Sequence, residues 1–344
     1  MAQKKRKKRK VFLSFLMILF CGVVLSTSTY AWFTANTTVT VEDITVNVAT
    51  SSGIQISVDA INWKTLITNS DITGASATYA GAVNQLPAST NSINPVSTVK
   101  ALDSNGFLTF YAGQIEASTA TATLGQNILV ANLSPQTNGV SGDFVAFDIF
   151  LSTTQATQVY FTSNTKVTAS GTSSGIENAA RVAFIVEGNA SAGTAVADIQ
   201  ALKTTSVGNV TIWEPNYDAH TATGIANNNS VYSGQNGVTL AASATSGAQQ
   251  LTYYGVKAAI PAANNVLLAS TDSTYFTQVT PTFATTKAGG IPSNDYQDWI
   301  TLQAGVTKVR VYMWVEGQDV DCENNASGGS LTYSVQISVN ENAG

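Results

Sequence analysis

The chain is 344 residues long and only 11% of it is charged, against about 25% in an average soluble domain. Hydrophobic residues make up 44%, which excludes disorder of the kind driven by low hydrophobicity and high net charge. A single histidine and two cysteines exclude histidine-rich metal sites and a disulfide framework. Cys21 lies in the N-terminal apolar run, so Cys322 stands alone in the body.

The first predicted element is a leader. Residues 4–10 read Lys-Lys-Arg-Lys-Lys-Arg-Lys, residues 11–25 are almost wholly apolar, and 26–31 are small apart from Tyr30. A basic start, a short apolar core and a small-residue exit are the three parts of a secretory signal. The apolar run, about 15 residues, is shorter than the ~20 that span a bilayer. Residues 1–31 are therefore read as a signal peptide, cut by signal peptidase between Ala31 and Trp32. The other reading keeps them as an anchor, with Trp32 and Phe33 at the membrane interface. Seven of the 16 basic residues lie in 4–10 and all acidic ones lie beyond Ala31, so the trimmed chain sets nine basic against 21 acidic residues, a net charge of −12. Nucleic acid attracts basic patches and is set aside as a partner. The expected location is secreted, extracellular or at the cell surface, with a membrane touched only through the leader.

From residue 34 onward apolar residues alternate with polar ones. Val39 and Val41, then Ile44, Val46 and Val48, follow this pattern, and the change of phase near Asp43 predicts a bulge. Alternation recurs at 54–58, at Val309, Val311, Met313 and Val315, and at 331–339. Residues 144–151 and 182–186 are more continuously apolar, as in strands buried on both faces. Asn-Gly pairs at 105–106, 138–139 and 236–237 supply the positive φ of tight turns. Many short strands with such punctuation predict an all-β fold, a β-sandwich of the jelly-roll kind. Short helical pieces are expected at 175–181 and 195–202. Residues 69–100 and 215–250 are weak in periodicity and are expected as long surface excursions. The domain plan is a leader (1–31), an N-terminal strand (32–48) and one decorated sandwich (49–344), with two stacked β domains as the alternative.

Candidate chemistry is sparse. His220 follows Asp218 by two residues, which can orient an imidazole, but no nucleophile motif accompanies it. A polar loop contact is its expected role, and the chain is not expected to be an enzyme. In the acidic run 316–323, Asp319, Asp321 and Glu323 can offer hard oxygen ligands to one Ca²⁺. The loop is not the helix-flanked calcium motif, because Asn324 stands where that motif needs Gly and Ser330 where it needs Glu. The other reading of 316–323 is a solvated connection between two strands. Carboxylates around Cys322 suppress its thiolate, so burial is expected. The tryptophans are scattered and are read as core or sheet-face residues. No cofactor other than Ca²⁺ is indicated.

The junction Thr29-Tyr30-Ala31-Trp32-Phe33-Thr34, followed by Asn36-Thr37-Thr38-Val39-Thr40-Val41, resembles exported surface proteins of Gram-positive bacteria. The camelysin/TasA group of biofilm-matrix fibre proteins is the best-known example. The resemblance covers the leader, the junction, the first strand and the weakly charged composition. It implies processing by a dedicated signal peptidase and jelly-roll domains whose freed N-terminal strand completes the sheet of a neighbouring subunit. Sheet-edge physics supports the same idea independently: an added strand supplies main-chain hydrogen bonds, and its alternate side chains fill pockets. A head-to-tail contact of this kind need not close and propagates as a filament. The plainer reading makes 34–48 the first strand of its own sandwich. The expected function is a secreted structural protein that self-assembles into fibres of the extracellular matrix. The alternative is a surface adhesin or glycan-binding module, calcium-dependent or not, with a secreted hydrolase third.

Overall fold

The computed structural model describes residues 32, 38–49, 53–86, 92–117, 127–139, 142–225, 252–266, 272–287, 297–323, 326 and 328–339. The leader, Ala31 and residues 226–250 of the second expected excursion lie outside them. The fold is all-β and its centre is a sandwich. In one sheet β16 (Gln297–Leu302), β9 (Thr157–Phe161), β18 (Ser330–Ser338), β1 (Val39–Val48) and β3 (Leu66–Thr68) lie in that order. Two further strands complete it, β10 (Lys166–Ala169) beside β18 and β4 (Ser92–Ile93) beside β1. The facing sheet runs β15 (Phe283–Ala284), β12 (Val210–Glu214), β11 (Ala180–Ala190), β17 (Gly305–Val315), β8 (Val145–Thr153) and β2 (Gln55–Ser57).

The apolar alternation seen in the sequence builds the space between these sheets. Val39, Val41, Ile44, Val46 and Val48 of β1 meet Val145, Phe147 and Ile149 of β8 and Val309, Val311, Met313 and Val315 of β17 in one buried cluster. The phase change in β1 is a bulge: its register against β18 shifts between Val41 and Asp43. Glu42 and Asp43 are thereby left exposed while Val41 and Ile44 both face inward. One extra residue keeps both halves of the strand in the core.

The six-stranded sheet is buried on its other face too. A third layer, made of β5 (Val96–Ser97), β6 (Phe110–Ala117) and β7 (Asn127–Ser134) with the hairpin β13 (Tyr253–Val256) and β14 (Phe276–Val279), covers it. Phe110, Tyr253 and Val279 of that layer pack on Phe144, Ile185, Tyr312 and Trp314. This explains the continuous apolar runs of β8 and β11. It also means that Tyr312 and Trp314 face a second core and not water.

Helices are short: α1 (Asn69–Gly74), α2 (Val196–Gln200) and 3₁₀ turns, one of them at Ile176–Asn178. Both expected helical pieces are thus present but curtailed, and residues 180–181 already belong to β11. The expected excursion at 69–100 is corrected. Ile72, Tyr79, Ala82, Gln85 and Val96 are buried, so its described part packs on the sandwich. Among the described residues no helix is long and apolar enough to cross a membrane.

Candidate functional site: the N-terminal junction and a buried acidic cluster

The residue after the predicted cut is fully buried. Trp32 packs with Leu129, Ala131, Val256 and Phe276, beside the sandwich. Its indole fits a slot that two glycines open. A Cβ on Gly317 would lie 2.5 Å from the ring, and one on Gly113 2.9 Å, both closer than side-chain atoms approach. Trp32 holds φ at +75°, a left-handed conformation that costs a bulky residue ~1–3 kcal/mol. Its indole Nε1 is buried without a partner, and its backbone N–H donates to the Cys322 sulfur.

From Trp32 the chain runs to β1, the assembly strand expected from the sequence. All five of its apolar positions are buried. β1 lies parallel to β18 on one side and antiparallel to β3 and β4 on the other. The first and last strands of the fold are therefore neighbours.

Gly317 belongs to the loop 316–323 that follows β17, and every residue of that loop is buried. This corrects the reading of a solvated connection. The loop folds inward because its charges find partners there. Arg181, fully buried on β11, donates through Nη2 to Glu214 Oε1 at 2.6 Å and to Asp319 Oδ2 at 2.7 Å. Its Nη1 donates to the Ala180 carbonyl at 2.9 Å. Asp321 meets His220 Nδ1 at 2.8 Å and accepts the Thr221 N–H at 2.7 Å. Glu323 accepts the Thr221 hydroxyl at 2.6 Å, and Glu316 accepts the Trp314 indole N–H at 3.1 Å.

These five carboxyl groups, at 214, 316, 319, 321 and 323, face two cationic side chains, Arg181 and His220. The imbalance shows in their acidity. Burial pushes Glu214 up to about 7 against the pull of Arg181, and pushes Glu316 up to about 7 as well. Asp321 and Glu323 are raised by burial. Burial alone would lower His220, but its bond to Asp321 overcomes this and raises it. The His220–Asp321 pair therefore holds its proton more tightly than a free imidazole does.

Asp319, Asp321 and Glu323 share one loop, as expected, but internal partners take them up: Arg181 binds Asp319, His220 and Thr221 bind Asp321, and Thr221 also binds Glu323. Among the described residues no group of three or more His, Cys, Asp or Glu side chains is placed to hold a metal ion. Asp218 does not orient His220. It accepts the Lys287 N–H at 2.7 Å, while Asp321, 101 residues away, takes the imidazole. Cys322 is free and buried, and burial pushes its thiol well above the ordinary value, with Asp319, Glu316 and Asp321 acting in the same direction. An activated nucleophile is not present there.

A second ionic group lies at the far end of the same sheet. Arg310 and its cross-strand neighbour Asp148 pair at 2.7 Å, and Tyr79 donates to Asp148 at 2.9 Å. Lys308 caps the carbonyls of Gln200 and Leu202, each at 2.9 Å. Glu187, buried near them, is pushed up to about 7. These groups border a cleft of about 330 Å³. Sequence reasoning missed both ionic groups, although an isolated Arg or Asp inside an apolar strand run was the available signal. Comparison of the chain with protein-family models, curated proteins and solved structures returns no match.

Proposed function

We propose that this chain is a secreted, non-enzymatic structural protein of the bacterial surface or extracellular matrix, and that it forms fibres by strand exchange after its leader is removed. In this reading the segment 32–48 of one subunit fills the place of β1 in the next, in the manner of the camelysin/TasA group. The observation that carries the reading is the position of β1. It lies within a sheet yet begins at Val39, shortly after the proposed cut, so it is joined to the body only at its C-terminal end once the leader is gone. Such a strand can be withdrawn and replaced without threading the chain through a loop. Burying its five Val and Ile side chains is worth about 1.5–3 kcal/mol each before entropy is counted, so an empty place would not stay empty. The same backbone pairing serves a strand from either molecule.

Negative-stain microscopy of the secreted protein, with the N-terminus determined by mass spectrometry, tests this. Regular filaments that disappear when 32–48 is deleted are expected. Monodisperse monomers at high concentration, with Trp32 confirmed as the first residue, would refute it.

A further inference from the structure

Just past β15 a lysine sits between a carboxylate and a side-chain amide. Lys287 Nζ donates to Glu177 Oε1 at 2.8 Å and to Asn178 Oδ1 at 3.5 Å. Glu177 and Asn178 are both buried, whereas the Lys287 side chain is 41% exposed. Among the described residues the other lysines in ion pairs, Lys64 and Lys308, bond carboxylates and backbone carbonyls but no side-chain amide. We propose that Lys287 and Asn178 become joined by a covalent amide, formed with loss of ammonia, and that Glu177 carries the protons for this step.

The atoms balance without an oxidant or a second reactant. Glu177 takes a proton from the Lys287 ammonium, which leaves a neutral amine against the amide. That amine adds to Asn178 Cγ, so the Nζ–Cγ bond forms and the Cγ–Nδ2 bond breaks. Two of the three Nζ protons reach Nδ2 by way of Glu177. Nδ2 leaves as ammonium, the carboxylate is restored, and the third proton stays on the new amide. Burial opposes ionisation of Glu177, but bonds from Lys287 and Ser173 outweigh it and hold its carboxyl below the ordinary value. It is therefore a carboxylate free to accept a proton, though a weak base, and the step is slow. It has to happen only once in each molecule.

Fixed position is what favours the step. Well-oriented groups within one molecule can react as though present at roughly 10⁵–10⁸ M. The 3₁₀ turn that carries Glu177 and Asn178 is pinned by its backbone. The Asn178 N–H donates to the Gly175 carbonyl at 3.0 Å, Asn216 Nδ2 to the Glu177 carbonyl at 3.0 Å, and Arg181 Nη1 to the Asn178 carbonyl at 3.2 Å. On the lysine's side, the Lys287 N–H donates to Asp218 Oδ1 at 2.7 Å and the Thr285 N–H to the Glu214 carbonyl at 3.0 Å. The exposed flank of Lys287 gives the ammonium a way out. The two residues lie 109 apart in the sequence. Their amide would close a covalent loop containing β11 to β15 and tie the end of the edge strand β15 to the start of β11, two strands further in.

The inference depends neither on the leader nor on fibres. Intact mass spectrometry of the folded protein, fresh and after prolonged incubation, tests it together with a map of the tryptic peptides. A mass one ammonia below that of the sequence, counted from the N-terminus found, is expected, with a branched peptide joining residues 178 and 287. Lys287→Arg keeps a cation beside Glu177 but has no amine to add. It should show the full mass and melt roughly 10 °C lower, about the effect of losing a cross-link that closes a loop of some 100 residues. Glu177→Gln, with its fold checked by circular dichroism, should lose ammonia at least about a hundredfold more slowly than the parent. An incubated parent protein at full mass overturns the proposal, and so does a lost ammonia that maps to any other residue. A Glu177→Gln variant that cross-links at the parental rate overturns the part given to Glu177. If Lys287→Arg does not fold, the parental mass and the branched peptide still decide.

Discussion

Replacing Arg181 by Met should destabilise the protein far more than an ordinary surface change. The guanidinium is fully buried and bonds Glu214 at 2.6 Å and Asp319 at 2.7 Å. Met keeps much of the apolar stem while deleting the charge. Breaking a buried pair by removing one partner costs about 3–5 kcal/mol, because the other charge stays buried without compensation. At about 2–4 °C per kcal/mol for a domain of 150–250 residues, this predicts a loss of roughly 6–20 °C in Tm. The loss should depend on pH. Glu214 titrates at about 7 even beside Arg181, so without the guanidinium it takes up a proton still more readily. Near pH 5 the orphaned group is then a neutral acid, and the cost is smaller than at pH 7.5. Urea unfolding followed by tryptophan fluorescence at the two pH values measures both effects, and adding Glu214→Gln to the variant should recover part of the loss at pH 7.5. A loss below about 1 kcal/mol at pH 7.5, or an equal loss at both pH values, would refute the view that Arg181 balances buried negative charge.

Gly317→Ala is expected to cost about 1–3 kcal/mol by overpacking the slot, since its Cβ would lie 2.5 Å from the Trp32 ring. In a Trp32→Ala background the same change should be nearly neutral in urea unfolding, and a full cost in both backgrounds would contradict the slot. Stability should also fall as pH rises from about 4.5 to 7. Glu187, Glu214 and Glu316 are raised from 4.5 to about 7, so across that window the native state binds more protons than the unfolded one. Each such group removes about 1.4 kcal/mol per pH unit. At the acid end Asp148 and Glu177 have lowered values, and their contribution is lost as pH falls through their folded pKa. Tm measured from pH 3 to 8 should therefore peak in mildly acidic solution, and a Tm that climbs steadily to pH 8 would contradict this assignment.

The sandwich was legible because its strands carry a period of two, and the bulge in β1 was legible because the period breaks at Asp43. The third layer was not. Tyr312 and Trp314 alternate with Val311 and Met313 in the way a half-solvated strand does, and nothing local distinguishes a face turned to water from one covered by β6 and β13. The loop 316–323 misled for a related reason. Carboxylates crowded into one short loop suggest solvent until Arg181 and His220, 138 and 101 residues away from Asp319 and Asp321, are brought against them. Charge partners so distant in sequence leave no spacing to read. Burial of Cys322 could be anticipated, because the chemistry of a lone thiol among acids points one way. Burial of Trp32 could not, since its slot is the product of two glycines, Gly113 and Gly317, more than 200 residues apart in the sequence.

The same topology determines when the N-terminal segment can dock. Thr40 pairs with Ser330 and Val48 with Ile337, so β1 finds its main partner only after nearly the whole chain has been made. Closing a loop of about 290 residues costs roughly 5 kcal/mol by the logarithmic law, and contacts this distant form late. Until then β18 has β9 and β10 on one side and an open edge on the other, the kind of edge that accepts a strand from any source. On the strand-exchange reading proposed above, removal of the leader frees the N-terminal end of the segment that fills this edge. At that moment the chain's own body and a neighbouring body compete for the same segment on equal contacts. On that reading local concentration decides between them: intramolecular closure has an effective concentration set by the connecting residues after β1, and a neighbour would prevail only where subunits crowd together.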